Sequence, residues 1–196
     1  IYIDPNTGEE EQLCGKNPQQ IREMGVGFAF VPEDRLGMGL VASMDIPDNM
    51  LIRSYLKGKS GFVDMKISEE LASKVVEELG VVTPDLRTEV GKLSGGNVQK
   101  VLVGREIASN PSLLMTAYAV RGLDINTSMA IYHLLNEQKK RGTAVIYVGE
   151  DLDVLLGLCD RIMVLCAGRI SGIVDGRTAT KEQIGLMMTS IGGDQE

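Results

Sequence analysis

The residues best suited to chemistry are Leu93-Ser94-Gly95-Gly96-Asn97-Val98-Gln99-Lys100. A glycine pair leads into a run where Val98, Val101 and Leu102 recur at helical spacing, so the pair opens a helix. The first backbone N–H groups of a helix have no internal partner and carry a partial positive charge, which suits a phosphate. Two glycines let an anion approach the backbone closely, and Ser94 adds a hydroxyl donor. By itself, a Ser-Gly-Gly start fits a plain helix cap as well as a phosphate site. A complete phosphate loop, G-x-x-x-x-G-K-[ST], is not present. Gly58-Lys59-Ser60 supplies its last three letters, but Arg53 stands at the first glycine position and a helical stretch precedes it. Gly15-Lys16 fails too, with Glu10 at the glycine position and Asn17 after the lysine.

Other groups carry less. Glu33, Asp124 and Glu150 each lie at the end of an expected strand or in the loop after one, where carboxylates can meet, yet no nucleophile or spacing rule accompanies them. His133 is the only histidine, which excludes any mechanism needing two; it sits mid-helix, as a surface or boundary residue. Cys14, Cys159 and Cys166 are odd in number and lack C-x-x-C spacing, so they form neither a disulfide framework nor a zinc site and fit a reducing cytosol as inert thiols. The 10 methionines read as core filler. Twenty basic against 27 acidic residues leave a net charge of −7 over 196 residues, with no Lys/Arg block, which argues against nucleic acid as a partner. Aromatic residues are only 4% with no Trp, which removes base-stacking and sugar-stacking platforms. The longest apolar stretches fall far short of the roughly 20 residues that span a bilayer, and no basic-then-apolar leader is present.

The elements that must hold these residues alternate. Gly25–Val31 is an apolar strand ending at Pro32, Leu113–Ala117 is another, and Thr143–Val148 is β-branched. Helical spacing covers Asp48–Leu56, a segment capped by Ser68 and stopped by Gly80, Asn97–Ala108, Thr127–Arg141 and Asp151–Leu158. Ile1–Ile3 reads as a short strand before the turn Pro5-Asn6-Thr7-Gly8. Arg161–Leu165 and Arg169–Val174 flank Ala167-Gly168 as a hairpin, and Thr180-Lys181-Glu182-Gln183 is a capping box opening the last helix. Strand–helix alternation with short connections predicts an α/β core with a parallel sheet. The helical middle reads as an insertion: 1–43 and 92–196 form the core, and 44–91 an inserted α-helical subdomain.

In this setting LSGGNVQK resembles the signature motif of the ATPase subunit of ATP-binding cassette (ABC) transporters, and the resemblance covers nearly the whole chain. Pro5-Asn6-Thr7-Gly8-Glu9 resembles the turn after that family's phosphate-loop helix, and Val31-Pro32-Glu33-Asp34-Arg35 its Q-loop segment. Gly104-Arg105-Glu106-Ile107-Ala108 follows the signature at the family spacing, Arg121-Gly122-Leu123-Asp124 resembles the D-loop, and Cys159–Leu165 the strand after the switch segment. VPEDR with LSGGN and RGLD is similar to the second cassette of tandem importers for sugars and nucleosides.

The resemblance implies a P-loop-NTPase-like core whose phosphate-loop (Walker A) region is missing from these residues. It implies ATP shared with a partner cassette, Mg²⁺ as the accompanying ion, membrane-spanning permease subunits as partners, and a peripheral place on the cytoplasmic face of the membrane. Carried onto this chain, the nucleotide contacts are Ser94, Gly95, Gly96, Asn97, Glu33 and Asp124, with Asp124 coupling two sites across the cassette interface. Where the family has the Walker B Asp-Glu pair, this chain has Ala117 and Tyr118. Alanine offers a cation no oxygen, and phenols ionise near pH 10, which makes tyrosine a poor base at neutral pH. Glu33 stands at the Q-loop glutamine position, and Glu150 or Gly149 at that of the switch histidine. The expectation is ATP hydrolysis coupled to import, with a competent signature, a degenerate site of its own, no metal ligand and little activity in these residues alone. The rivals are a non-hydrolysing dimerisation cassette and a soluble ABC ATPase outside transport.

Overall fold

The computed structural model describes residues 1–3, 7–55 and 64–189. Strand β1 (Tyr2–Ile3) pairs antiparallel with β2 (Glu10–Glu11), and helix α1 (Pro18–Glu23) follows, opened by a capping box between Asn17 and Gln20. A three-stranded parallel sheet is built from β3 (Phe28–Val31), β4 (Leu113–Ala117) and β5 (Ala144–Val148), in that order. Its register sets Val31 beside Thr116 and Ala117 beside Val148. Parallel neighbours need crossover connections. After β3 come a π-helical turn at Arg35–Gly39 and the helices α2 (Ile46–Ser54), α3 (Met65–Leu79) and α4 (Gly95–Ile107); α5 (Ile125–Lys140) joins β4 to β5. Beyond the sheet lie α6 (Leu152–Leu158), the hairpin β6 (Arg161–Cys166) and β7 (Arg169–Asp175), and α7 (Lys181–Thr189). The mixed α/β class and the parallel sheet match the sequence reading. Among the described residues no helix is long and apolar enough to cross a membrane.

One apolar cluster joins the sheet to the helices. Val31 and Leu114 meet Val101 and Leu102 of α4 and Ile131 and Leu135 of α5, and the same cluster takes in Ile46, Met50, Ala72 and Val75 from α2 and α3. A smaller cluster centres on Ile162, Val164 and Ile184. Helix stops sit where expected: Gly80 takes φ 57° after α3 and Gly142 takes φ 92° after α5, a region where a side chain is penalised.

Helix starts differ from the sequence reading. Ser68 does not cap α3. Asp64 does, accepting from the Lys66 N–H, and the helix begins one turn earlier. Ser68 is buried and its hydroxyl donates back to the Met65 carbonyl at 2.8 Å, the local bond that serine makes inside a helix. Asp45 and Asp124 likewise cap α2 and α5, which begin at Ile46 and Ile125, two residues before the predicted Asp48 and Thr127. Strand β3 is shorter than the predicted Gly25–Val31 because Gly25 (φ 85°) closes the turn after α1. Pro5-Asn6, Leu56 and the Gly58-Lys59-Ser60 candidate lie outside the described residues.

Helix α4 is anchored by a buried charge. Glu106 has no exposure; its carboxylate accepts from Arg53 of α2 at 2.6 Å, from the Arg105 Nε at 3.0 Å and from the Phe30 N–H of β3 at 3.3 Å. Burial lowers the Arg105 pKa, with Glu106 acting in the opposite direction, and Arg105 also donates to the Gly39 carbonyl at 2.8 Å. Removing one partner of such a network strands the other in a dry site. Glu106→Leu is expected to lower stability by about 3–5 kcal/mol, read from urea denaturation; a loss below about 1 kcal/mol would mean the network adds little.

Candidate functional site

Ser94 caps α4 in extended conformation. Its Oγ accepts from the Asn97 N–H at 3.5 Å and from the Asn97 amide at 2.9 Å, while the Asn97 Oδ1 accepts from the Val82 N–H at 2.9 Å. With its oxygen engaged as acceptor, the Ser94 hydroxyl keeps its proton free to donate outward. Ser94 and Gly95 are exposed, and the N–H groups of Gly95 and Gly96 find no partner among the described residues. These groups lie at the positive end of the helix dipole, with Gly96 half-buried.

The glycines have close neighbours. A Cβ at Gly96 would lie 3.3 Å from the Thr127 Oγ1 and 3.8 Å from the Asp124 Oδ2; one at Gly95 would lie 3.4 Å from a terminal nitrogen of Arg35. The start of α4 therefore sits against the start of α5. There Asp124 accepts from the Thr127 N–H at 3.0 Å and from its hydroxyl at 2.6 Å, bonds that hold its pKa below the usual carboxylate range.

Glu33 follows β3 and accepts from Arg121 at 2.6 Å. The Arg121 guanidinium also stands 5.7 Å over the Tyr118 ring, and its pKa is raised first by the Glu33 hydrogen bond, then by the charges of Glu33 and Glu150. Ala117 ends β4 beside Val148. Tyr118 follows at φ 50°, in left-handed backbone where a bulky residue is strained, and donates its N–H to the Val148 carbonyl at 2.9 Å. Gly149 is wedged against Tyr147: a Cβ there would fall 2.6 Å from that ring.

The structure thus brings Ser94, Gly95, Gly96, Asn97 and Asp124 to one place, with Glu33 tied to the same region through Arg121. Asp124 and Glu33 are each committed to a partner within the chain, and no three His, Cys, Asp or Glu side chains gather to hold a metal ion among the described residues. These residues do not fit a Mg²⁺ site. His133 is exposed on α5. The three cysteines are free, and burial pushes the Cys159 thiol up. Sequence reasoning quoted Arg35 and Arg121 inside motifs but gave neither a role. Their partners lie 64 to 88 positions away in the chain, where no local spacing rule reaches.

No protein-family model matches the chain. The galactose/methyl galactoside import ATP-binding protein MglA of Escherichia coli K12 is 40% identical over 161 residues, which is 81% of this chain and 32% of that protein. The proteins of the same name from Shigella boydii and Salmonella typhimurium give the same identity and coverage. The chain belongs to the ATP-binding cassette family. This cassette spans about a third of the length of the curated relatives it matches. Solved structures agree in fold. The ATP-binding cassette MJ0796, as a dimer in a post-hydrolysis state bound to ADP and Pi, superposes with TM-score 0.69 at 19% identity, covering 83% of this chain and 69% of that one. A metal-chelate type ABC transporter in an inward-facing conformation gives 0.68 at 16%, covering 83% and 63%.

The lowered Asp124 pKa makes a prediction for the cassette's acid stability. The contribution of a depressed carboxylate is complete above its unfolded value, near 3.8, and is lost as pH falls through the lower folded value. Asp124→Asn keeps a capping oxygen without the titration. The stability gap between the native chain and this variant is expected to be constant above about pH 5 and to shrink as pH falls toward about 2. Urea midpoints across that range test it, and a gap that does not change with pH would contradict the assignment.

Proposed function

We propose that this cassette is the second of two in the ATPase of an importer for sugars or nucleosides, and that it presents its signature to ATP held by the partner cassette. The observation that carries this is the start of α4, where Ser94 caps the helix and Ser94 and Gly95 are exposed, with the first-turn N–H groups of Gly95 and Gly96 beside them. Three donors at a helix N-terminus suit the terminal phosphate of a nucleotide, and water leaving the closed interface would strengthen each bond. Asn97 would hold Ser94 in its donating orientation, and Asp124, beside it, would face the partner and couple the two sites. The galactose import function named for the relatives supports the transport assignment.

The chain's own hydrolytic positions support an asymmetric pair. Ala117 cannot ligate a cation, and Tyr118 turns its ring to Arg121 instead of offering a base to water. Glu33 is bound to the same arginine. In this reading one composite site turns over and the other is degenerate, with Mg²⁺ held by the partner. The core would comprise 1–43 and 92–196, and the helical segment 44–91, with the Q-loop, would meet the permease subunits at the cytoplasmic face of the membrane. A second reading, a cassette that pairs without hydrolysis anywhere, is favoured by Ala117 and Tyr118 alone.

Two variants of the full-length transporter separate these. Ser94→Arg, which lays a bulky cation across the start of α4, is expected to reduce ATP turnover by at least about 100-fold, whereas Tyr118→Phe changes it by less than about twofold. Unchanged turnover in the Ser94 variant would sink the composite site. In addition, the isolated 196 residues are expected to show no Mg-dependent ATPase activity; robust hydrolysis by them would refute the degenerate-site reading.

A further inference from the structure

The segment Glu33-Asp34-Arg35 grips the D-loop at two points. Glu33 binds the Arg121 side chain at 2.6 Å, and Arg35 donates through Nη2 to the Arg121 carbonyl. Through Nε, Arg35 also donates to the Gln99 Oε1 at 2.8 Å. Gln99 is fully buried on α4, one turn beyond Gly95. One planar guanidinium therefore spans from the signature helix to the backbone three residues before Asp124, the cap of α5. Its own seat is rigid. Arg35 opens the π-helical turn, whose cap Asp34 accepts from the Gly37 N–H at 2.8 Å. At the end of that turn, the Gly39 carbonyl accepts from the buried Arg105, and a Cβ on Gly39 would fall 2.8 Å from Leu102 of α4.

We propose that Arg35 is a positioning residue: it sets the spacing between the starts of α4 and α5, so that Ser94, Gly95, Gly96 and Asp124 meet nucleotide as one preformed surface. This rests on the reading of Ser94–Gly96 as a phosphate clamp. Arg35 touches no phosphate in this scheme. Its work is to keep the clamp-competent arrangement populated. A binding-competent state that is populated only in part lowers apparent affinity by that fraction, while saturating ligand restores it. The fork geometry is essential, because a lysine ammonium is a point donor on a flexible stem and does not hold two separated acceptors in a plane.

The test uses the full-length transporter with all its subunits, comparing Arg35→Gln, Arg35→Lys and Ser94→Arg by ATP turnover against ATP concentration. Both Arg35 variants are expected to raise the apparent KM for ATP by about tenfold, with kcat falling by less than about twofold. A purely structural role would do the reverse, reducing the active fraction and hence kcat with KM unchanged. Lysine, which keeps the charge, is expected to fail as a rescue. An unchanged KM in both Arg35 variants, or a native KM in Arg35→Lys, overturns the proposal. The Ser94→Arg arm separates the two failures. If turnover survives Ser94→Arg, the clamp reading itself falls; if it is abolished while the Arg35 variants keep the native KM, only the positioning role of Arg35 falls.

Discussion

A carboxylate without access to water has to be neutralised where it stands, and Glu106 near the end of α4 is such a group. Its partners come from three places: Arg53 on α2, Arg105 beside it on the same helix, and the Phe30 N–H of the parallel sheet. Meeting all three fixes how α4 is rotated about its axis and how far it advances along the sheet. Val98, Val101, Leu102 and Val103 then fill the core on every side. Twelve residues earlier, about 18 Å along the helix, Ser94 emerges at the surface. The same burial that anchors α4 fixes where its exposed end lies.

Arg121 gathers side chains that follow three different strands of the parallel sheet. Glu33, Tyr118 and Glu150 all act on Arg121: by hydrogen bond, by ring face and by charge. The same residue presents its carbonyl to Arg35, which also binds Gln99, so Arg121 is linked through one guanidinium to α4.

Local signals in the chain were the reliable ones. The β-branched run at Ala144–Val148, the glycine stops after α3 and α5, and the hairpin around Ala167-Gly168 all depend on neighbours within a few positions, and each formed where expected. Helix starts were misjudged where a cap was available earlier: Asp64 displaced Ser68, since an ionised carboxylate is the stronger acceptor for first-turn N–H groups and Ser68 had the option of bonding back to Met65. The signature was legible as a Ser-Gly-Gly helix start, but its packing against Thr127 was not. Glu106 with Arg53, and Arg35 with Gln99 and Arg121, were out of reach for a different reason. Residues 53 to 86 positions apart meet only once the crossover helices have been laid on the sheet, and no periodicity encodes that meeting.

The central claim is that Ser94 and the glycines after it hold a phosphate belonging to nucleotide bound elsewhere in the assembly. A structure of the full-length transporter closed on a non-hydrolysable ATP analogue tests it most directly. The account predicts a γ-phosphate oxygen within about 3 Å of the Ser94 Oγ and of the Gly95 or Gly96 nitrogen, with the adenine and its metal on the other cassette. A closed assembly in which the start of α4 faces only water or protein would contradict it.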